Sequence, residues 1–312
     1  MHRYIDPTTD FGFKRIFGME PNRDLLIAFL NGVFLGRKDI EDIVYNRNEH
    51  VGDTEETGGV IFDLTCTATN GEKFIIEVQR SSQINLKRRM LYYGSKLIAD
   101  QAPKGNRKQW NYAISEVYVI VLMDGFRIPG GNGSKDFMHD ICLCNRETGE
   151  VFYEDLGFIY LELINFTKGE AELSNDLDRW LYVLKNMSVM DKLPRYLRKP
   201  IFEKLFSIAE YSKLSKEEKA MYDVSLKRKW DAESIRETAI IEQERARKEG
   251  LEQGLERGIE QGIEQGMGTK NYEIVKKLIV QHDWSDASIA DFVEVSLDFV
   301  EKVRNELAKN NK

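Results

Sequence analysis

Residues 62–79 read FDLTCTATNGEKFIIEVQ, two alternating runs about a turn at Asn70-Gly71. Three polar side chains interrupt the apolar pattern: Asp63 in the first run, Glu77 and Gln79 in the second. Strand interiors rarely bury carboxylates without a partner. Side chains alternate along a strand, so Glu77 and Gln79 share one face, as do Asp63, Thr65 and Thr67 on the other strand. The turn decides whether the two acids meet. A two-residue Asn70-Gly71 turn sets Asp63 opposite Val78, on the wrong face. A three-residue loop, Thr69-Asn70-Gly71 with Gly71 left-handed, shifts the register by one and sets Asp63 across from Glu77. Adjacent carboxylates cannot both stay ionised cheaply, and a divalent cation resolves the conflict. Hard oxygen ligands suit Mg²⁺ or Mn²⁺, which can activate water against a phosphodiester. The competing reading is a surface hairpin that exposes one acid per strand.

The flanking sequence predicts helix, three strands, helix, strand. Residues 8–36 are helical in spacing, with a cap at Thr9-Asp10, then Phe11, Phe13, Ile16 and Phe17, and a second apolar face from Leu25 to Phe34. A short strand is expected at 43–45 and an amphipathic helix at 84–101. That helix turns Met90, Leu91, Gly94, Leu97 and Ile98 inward and Arg88, Tyr92 and Lys96 outward. EVYVIVLM (116–123) reads as a buried strand. Further strands are expected at 140–144, 152–153 and 159–164, and helices at 178–184, 200–207 and 217–230.

Bulk composition bounds the class. The chain has 312 residues, too many for one compact core, and a net charge of −7. The longest uncharged apolar run in the middle of the chain, 117–123, is far short of a membrane span, and the opening residues lack the apolar stretch of a signal peptide. Three cysteines without zinc-like spacing suggest a reduced, cytoplasmic compartment, with Cys142 and Cys144 alternating within a strand as packing residues. The charge is uneven: eight basic residues against one acid lie between Arg80 and Trp110. A local positive field on an acidic chain suits an enzyme acting on a polyanion; a solvated helix face would read the same way.

Three blocks in order, TDFGFKRIFG (9–18), Asp63 with Glu77 and Gln79, and RRMLYYGSKLIADQ (88–101), resemble the Rpn family of recombination-promoting nucleases, also described as transposases, within the PD-(D/E)XK nuclease superfamily. The resemblance covers roughly residues 4–165. It implies a restriction-endonuclease-like α/β fold, a mixed sheet flanked by helices. Asp63 and Glu77 would be the metal-binding carboxylates, with the Val78 carbonyl as a third ligand. Gln79 stands where the superfamily usually has a lysine that orients the attacking water; a neutral amide does so only by hydrogen bonding. Asp10 matches an acidic position that could complete the metal site, or it begins a capped helix. Lys14, one turn on, is a candidate replacement cation or half of a surface ion pair. Arg89 and Tyr93 match an R-x-x-x-Y pattern, are i, i+4 neighbours, and would bring a guanidinium to phosphate beside an aromatic ring; Tyr93 could equally be core. Arg88 is a further phosphate contact, and Gln101 also matches.

The composition then changes. GLEQGLERGIEQGIEQGM (250–267) repeats glycine every fourth residue. Each glycine costs about 1 kcal/mol of helix propensity against alanine, and a Glu252, Glu256, Glu260 and Glu264 column adds like-charge repulsion. Such a helix needs a partner on its glycine face, for which a second copy of the chain is the obvious choice; the alternative is a semi-flexible spacer. Residues 271–312 read as three short helices capped by Ser285 and Ser296, with a last helix too acidic for DNA. The expected organisation is a nuclease-like domain over 1–170, a helical extension over 171–230, a glycine-repeat helix over 231–268 and a three-helix tail over 269–312. The function expected is a Mg²⁺-dependent DNA endonuclease linked to recombination, mobile elements or defence. The alternative is a catalytically weak DNA-binding or oligomeric protein that keeps the fold.

Overall fold

The computed structural model describes residues 2–46, 49–50, 60–61, 63–103, 110–130 and 134–310. Two compact units emerge, Met1–Arg236 and Glu237–Lys312. The first opens with helices α1 (Asp10–Phe17) and α2 (Arg23–Phe34), followed by strands β1 (Ile43–Tyr45), β2 (Glu49–His50), β3 (Val60–Ile61), β4 (Leu64–Ala68) and β5 (Lys73–Gln79). Helix α3 (Leu86–Ala99) leads into β6 (Val117–Met123), β7 (Met138–Cys144) and β8 (Val151–Glu162), and α4 (Asp176–Asn186) and α5 (Pro200–Ile208) complete the flanking layer. Six strands form one sheet in the order β1-β4-β5-β6-β8-β7, while β2 and β3 pair separately. The sheet is mixed, since β5–β6 and β6–β8 are parallel and the remaining pairs antiparallel. This is the restriction-endonuclease-like architecture expected from the sequence.

The apolar pattern explains the layers. All seven residues of β6 are buried, as a central strand with both faces covered requires. On one face Ile75, Val119, Val121 and Phe158 pack against Leu86, Met90 and Leu97 of α3. On the other, Phe74, Ile76, Val78, Ile120 and Leu122 belong to a larger core, in which Phe13 and Phe17 of α1, Phe29 of α2, Trp180 of α4 and Phe202 of α5 form an aromatic chain.

Three expectations need correction. The strands expected at 152–153 and 159–164 are one, the 12-residue β8. Gly157 is not a break within it: a Cβ there would lie 2.6 Å from the Tyr118 ring, so the glycine admits that ring against the strand. Leu91, expected inside, is 55% exposed. It lies beyond the sheet surface that α3 covers, at the rim of a groove shared with Ile141 and Phe158. Cys142 and Cys144, read as packing residues, are half-buried and exposed, because β7 is an edge strand.

Helix α6 (Lys216–Gln281) runs unbroken through the glycine ladder. In the second unit α6 is followed by α7 (Asp286–Val293) and α8 (Leu297–Asn310), around a small core of Val275, Ile289, Ala290, Val300 and Val303. Ser285 caps α7 by accepting from the Ser288 N–H, and the Ser296 hydroxyl accepts from the Phe299 N–H. No helix among the described residues is long and apolar enough to cross a membrane.

Candidate metal centre

The β4–β5 hairpin makes the longer of the two turns. Ala68 and Glu72 close it, with Thr69, Asn70 and Gly71 as the loop and Gly71 at φ +94°. The register pairs Leu64 with Ile76 and Thr65 with Ile75. One step further the same register sets Asp63 beside Glu77. Two hydrogen bonds lock them: the Asp63 N–H donates to Glu77 Oε1 at 3.1 Å, and the Val78 N–H donates to Asp63 Oδ2 at 2.8 Å.

Glu77 is only 4% exposed. Burial, and then the charge of Asp63, push its carboxyl up to about 8. Asp63 is raised too, by burial first, against a lowering hydrogen bond from Val78; Asp10 raises it further while Lys14 and Arg80 oppose. These are hydrogen-bonded carboxylates in a shared buried site, so the surface-hairpin reading fails.

Gln79 extends the centre. Its Nε2 donates to Glu77 Oε2 at 3.1 Å, and its Oε1 accepts from Arg89 of α3. Arg89 also donates to Gln83 Oε1 at 2.7 Å, and its guanidinium carbon lies 5.8 Å from the centroid of the Tyr93 ring. Burial raises the Tyr93 hydroxyl, with Glu77 as the next cause, and the ring also packs against the core between α3 and the sheet, so it is both a core residue and a neighbour of the carboxylates. Carboxylate, amide, guanidinium and ring thus run in series from β5 to α3. Arg88 is exposed on the outer face of the same helix.

Asp10 and Lys14 sit at one edge. They pair with each other at 2.8 Å, both about two-fifths exposed, and both act electrostatically on Asp63. They also line a cavity of about 700 Å³ between α1 and the start of α6. Gln101 lies apart: its side chain donates to the Ser115 carbonyl and accepts from the Ser115 N–H, pinning the approach to β6.

The donor set suits a hard divalent cation. Gln79 turns its carbonyl toward β6, accepting from the Asp124 N–H at 2.8 Å. By strand alternation Val78 turns its own N–H and carbonyl to the opposite edge, the side on which Asp63 lies. Two carboxylates and one carbonyl are oxygen donors of the kind Mg²⁺ and Mn²⁺ take. No group of three or more histidine, cysteine or acidic side chains able to hold a metal occurs among the described residues.

One cluster escaped the sequence reading. Lys229 of α6 donates to Asp6 Oδ2 and Thr8 Oγ1 and pairs with Asp124 Oδ2, each at 2.7 Å. Arg80, next after Gln79, donates through Nε to the Thr8 carbonyl at 2.7 Å. The only local signal was the Asp6-Pro7-Thr8 step, which folds as a turn with Asp6 Oδ1 accepting from the Thr8 N–H.

A family model described as "PD-(D/E)XK nuclease family transposase" matches residues 7–239. The chain belongs to the PD-(D/E)XK nuclease family transposases. That membership fits the Rpn resemblance and supports a role associated with nuclease and transposase activity. Nucleases of this superfamily generally use divalent metal ions. The match reaches past the sheet and its flanking helices into the first turns of α6, and so includes Lys229. No curated protein and no solved structure matches the chain.

Proposed function

We propose that this chain is a metal-dependent DNA endonuclease that hydrolyses phosphodiester bonds, acting in the cytoplasm in recombination, mobile-element movement or defence. The observation that carries the reading is the buried Asp63–Glu77 pair, each carboxylate bonded to backbone beside the other. Asp63, Glu77 and the Val78 carbonyl would hold Mg²⁺, or Mn²⁺ in its place; when bound, such an ion lowers the pKa of water and offsets charge on a phosphoryl oxygen. The protein supplies the rest. Gln79, fixed between Glu77 and Arg89, orients the attacking water through its amide. Arg89, with Arg88 and Lys14 further out, neutralises phosphate, and Tyr93 packs beside the guanidinium. Asp10 adds negative charge at the edge of the centre.

A homo-oligomer through the glycine repeat of α6 belongs to the same proposal. Leu251, Leu255, Ile259 and Met267 are all more than half exposed there, beside the glycine column.

One observation favours the second reading, a catalytically weak DNA-binding or oligomeric partner. The Gln79 amide is engaged at both ends, by Glu77 and by Arg89, where an unengaged cation would be free to act on water. Supercoiled plasmid with Mg²⁺ separates the two, with Asp63→Ala and EDTA as controls. Nicking by the wild type that both controls abolish supports the nuclease. Plasmid binding without cleavage, in Mg²⁺ and Mn²⁺ alike, supports the partner protein.

A further inference from the structure

The beginning of α6 closes over the loop that leads into α1. Tyr222, Ser225 and Lys229 lie at i, i+3 and i+7, one face of the helix. The Tyr222 hydroxyl accepts from the Asp6 N–H at 2.9 Å, and the Ser225 hydroxyl accepts from the Phe11 N–H at 3.1 Å. Lys229 reaches Asp6, Thr8 and Asp124 together and keeps 12% of its side-chain surface exposed. Removing so buried a cation leaves Asp6 and Asp124 with hydrogen bonds from Thr8 but no cation between their like charges.

What the cluster touches gives it meaning. Asp124 donates its N–H to the Gln79 carbonyl, and Thr8 receives the Arg80 side chain on its own carbonyl. Residues 79 and 80 follow the Glu77-Val78 pair directly. Thr9, next after Thr8, caps α1 by accepting from the Gly12 N–H, and α1 begins at Asp10, whose charge acts on Asp63. Lys229 therefore grips both loops that frame the carboxylates: the one before α1 and the one after β6.

We propose that Lys229 is a positioning residue of the carboxylate centre, holding the Asp6–Thr9 loop and Asp124 so that Gln79, Arg80 and Asp10 stand correctly around Asp63 and Glu77. The first turns of α6 are then part of the nuclease domain. This inference rests on the metal-dependent reading above.

The test uses the full chain with Lys229→Met and Lys229→Arg, and four readouts: thermal unfolding, hydrogen exchange without metal, calorimetric Mg²⁺ titration and plasmid nicking. A folded Lys229→Met should exchange faster at 6–11 and 77–80, bind Mg²⁺ roughly tenfold or more weakly, and lose a similar factor in kcat with KM little changed. Lys229→Arg should recover most of the Mg²⁺ affinity. A folded Lys229→Met with wild-type Mg²⁺ affinity and exchange overturns the proposal and leaves Lys229 a structural ion pair. Should that variant fail to fold, Asp124→Asn, which leaves Lys229 its Asp6 partner, carries the same expectations. A wild type that binds Mg²⁺ through Asp63 yet cuts nothing overturns the nuclease reading and leaves the positioning role to be judged on affinity and exchange. A wild type that binds no Mg²⁺ overturns both.

Discussion

Glu77 carries the sharpest chemical consequence at the scale of single residues. Its carboxyl is raised from 4.5 to about 8 without metal, so the folded chain holds a proton there at neutral pH that the unfolded chain releases. Protons bound in excess by the native state make stability fall as pH rises between those two values. The melting temperature without metal should therefore decline from pH 5 to pH 8, and Glu77→Gln should flatten that slope. Divalent metal must displace the same proton, so Mg²⁺ affinity should climb with pH up to about 8 and then level, with close to one proton released per ion near pH 7. Calorimetry in buffers of different ionisation enthalpy reads that number. Arg89 lowers the Glu77 carboxyl. Arg89→Met should consequently move the midpoint of Mg²⁺ binding to higher pH, whereas a remote arginine on the outer face, such as Arg88, should leave it in place.

The hairpin shows what the elements contribute, and how much of them the sequence discloses. The period-2 pattern of 62–79 and the Asn-Gly turn were legible, but the choice between a two- and a three-residue loop stayed open, since only the metal reading called for the longer one. What could not be read were contacts whose partners lie far apart in the chain. Lys229 meets Asp6 across 223 residues, and nothing around it marks it as different from Lys227 or Arg228. Gly157 was silent for a related reason: its purpose is the Tyr118 ring, which belongs to another strand. Leu91 obeyed helical periodicity but lies at the rim of an open groove with Ile141 and Phe158, where it stays 55% exposed. Because the register rests on one turn, two changes there should be informative. Deleting Asn70 leaves a two-residue Thr69-Gly71 loop between the same closing pair, Ala68 and Glu72, so Asp63 should stay opposite Glu77 and Mg²⁺ binding should persist. Gly71→Ala places a side chain at positive φ with its Cβ 2.9 Å from the Ser115 hydroxyl. It should cost about 1–3 kcal/mol by chemical denaturation.

For the molecule as a whole, the glycine ladder poses the main question. An added Cβ at Gly250, Gly254, Gly258, Gly262 or Gly266 meets nothing within 4 Å in the single chain. Alanine at each should raise helix stability by about 1 kcal/mol if the helix stands alone. If a second copy packs against the glycine face, the same five substitutions should instead split the assembly while circular dichroism shows no loss of helix. Sedimentation velocity distinguishes these outcomes, and a monomeric wild type would sink the proposed assembly. The cluster around Lys229 also has a consequence in time. Chains leave the ribosome at about 5–20 residues per second. Asp6 therefore emerges on the order of ten to forty-five seconds before the lysine that will hold it. For roughly the last two-thirds of that interval the residues of β4 and β5 are already made while the loop before α1 lacks Lys229. The newborn chain carries its paired carboxylates well before the lysine that closes over the neighbouring loop.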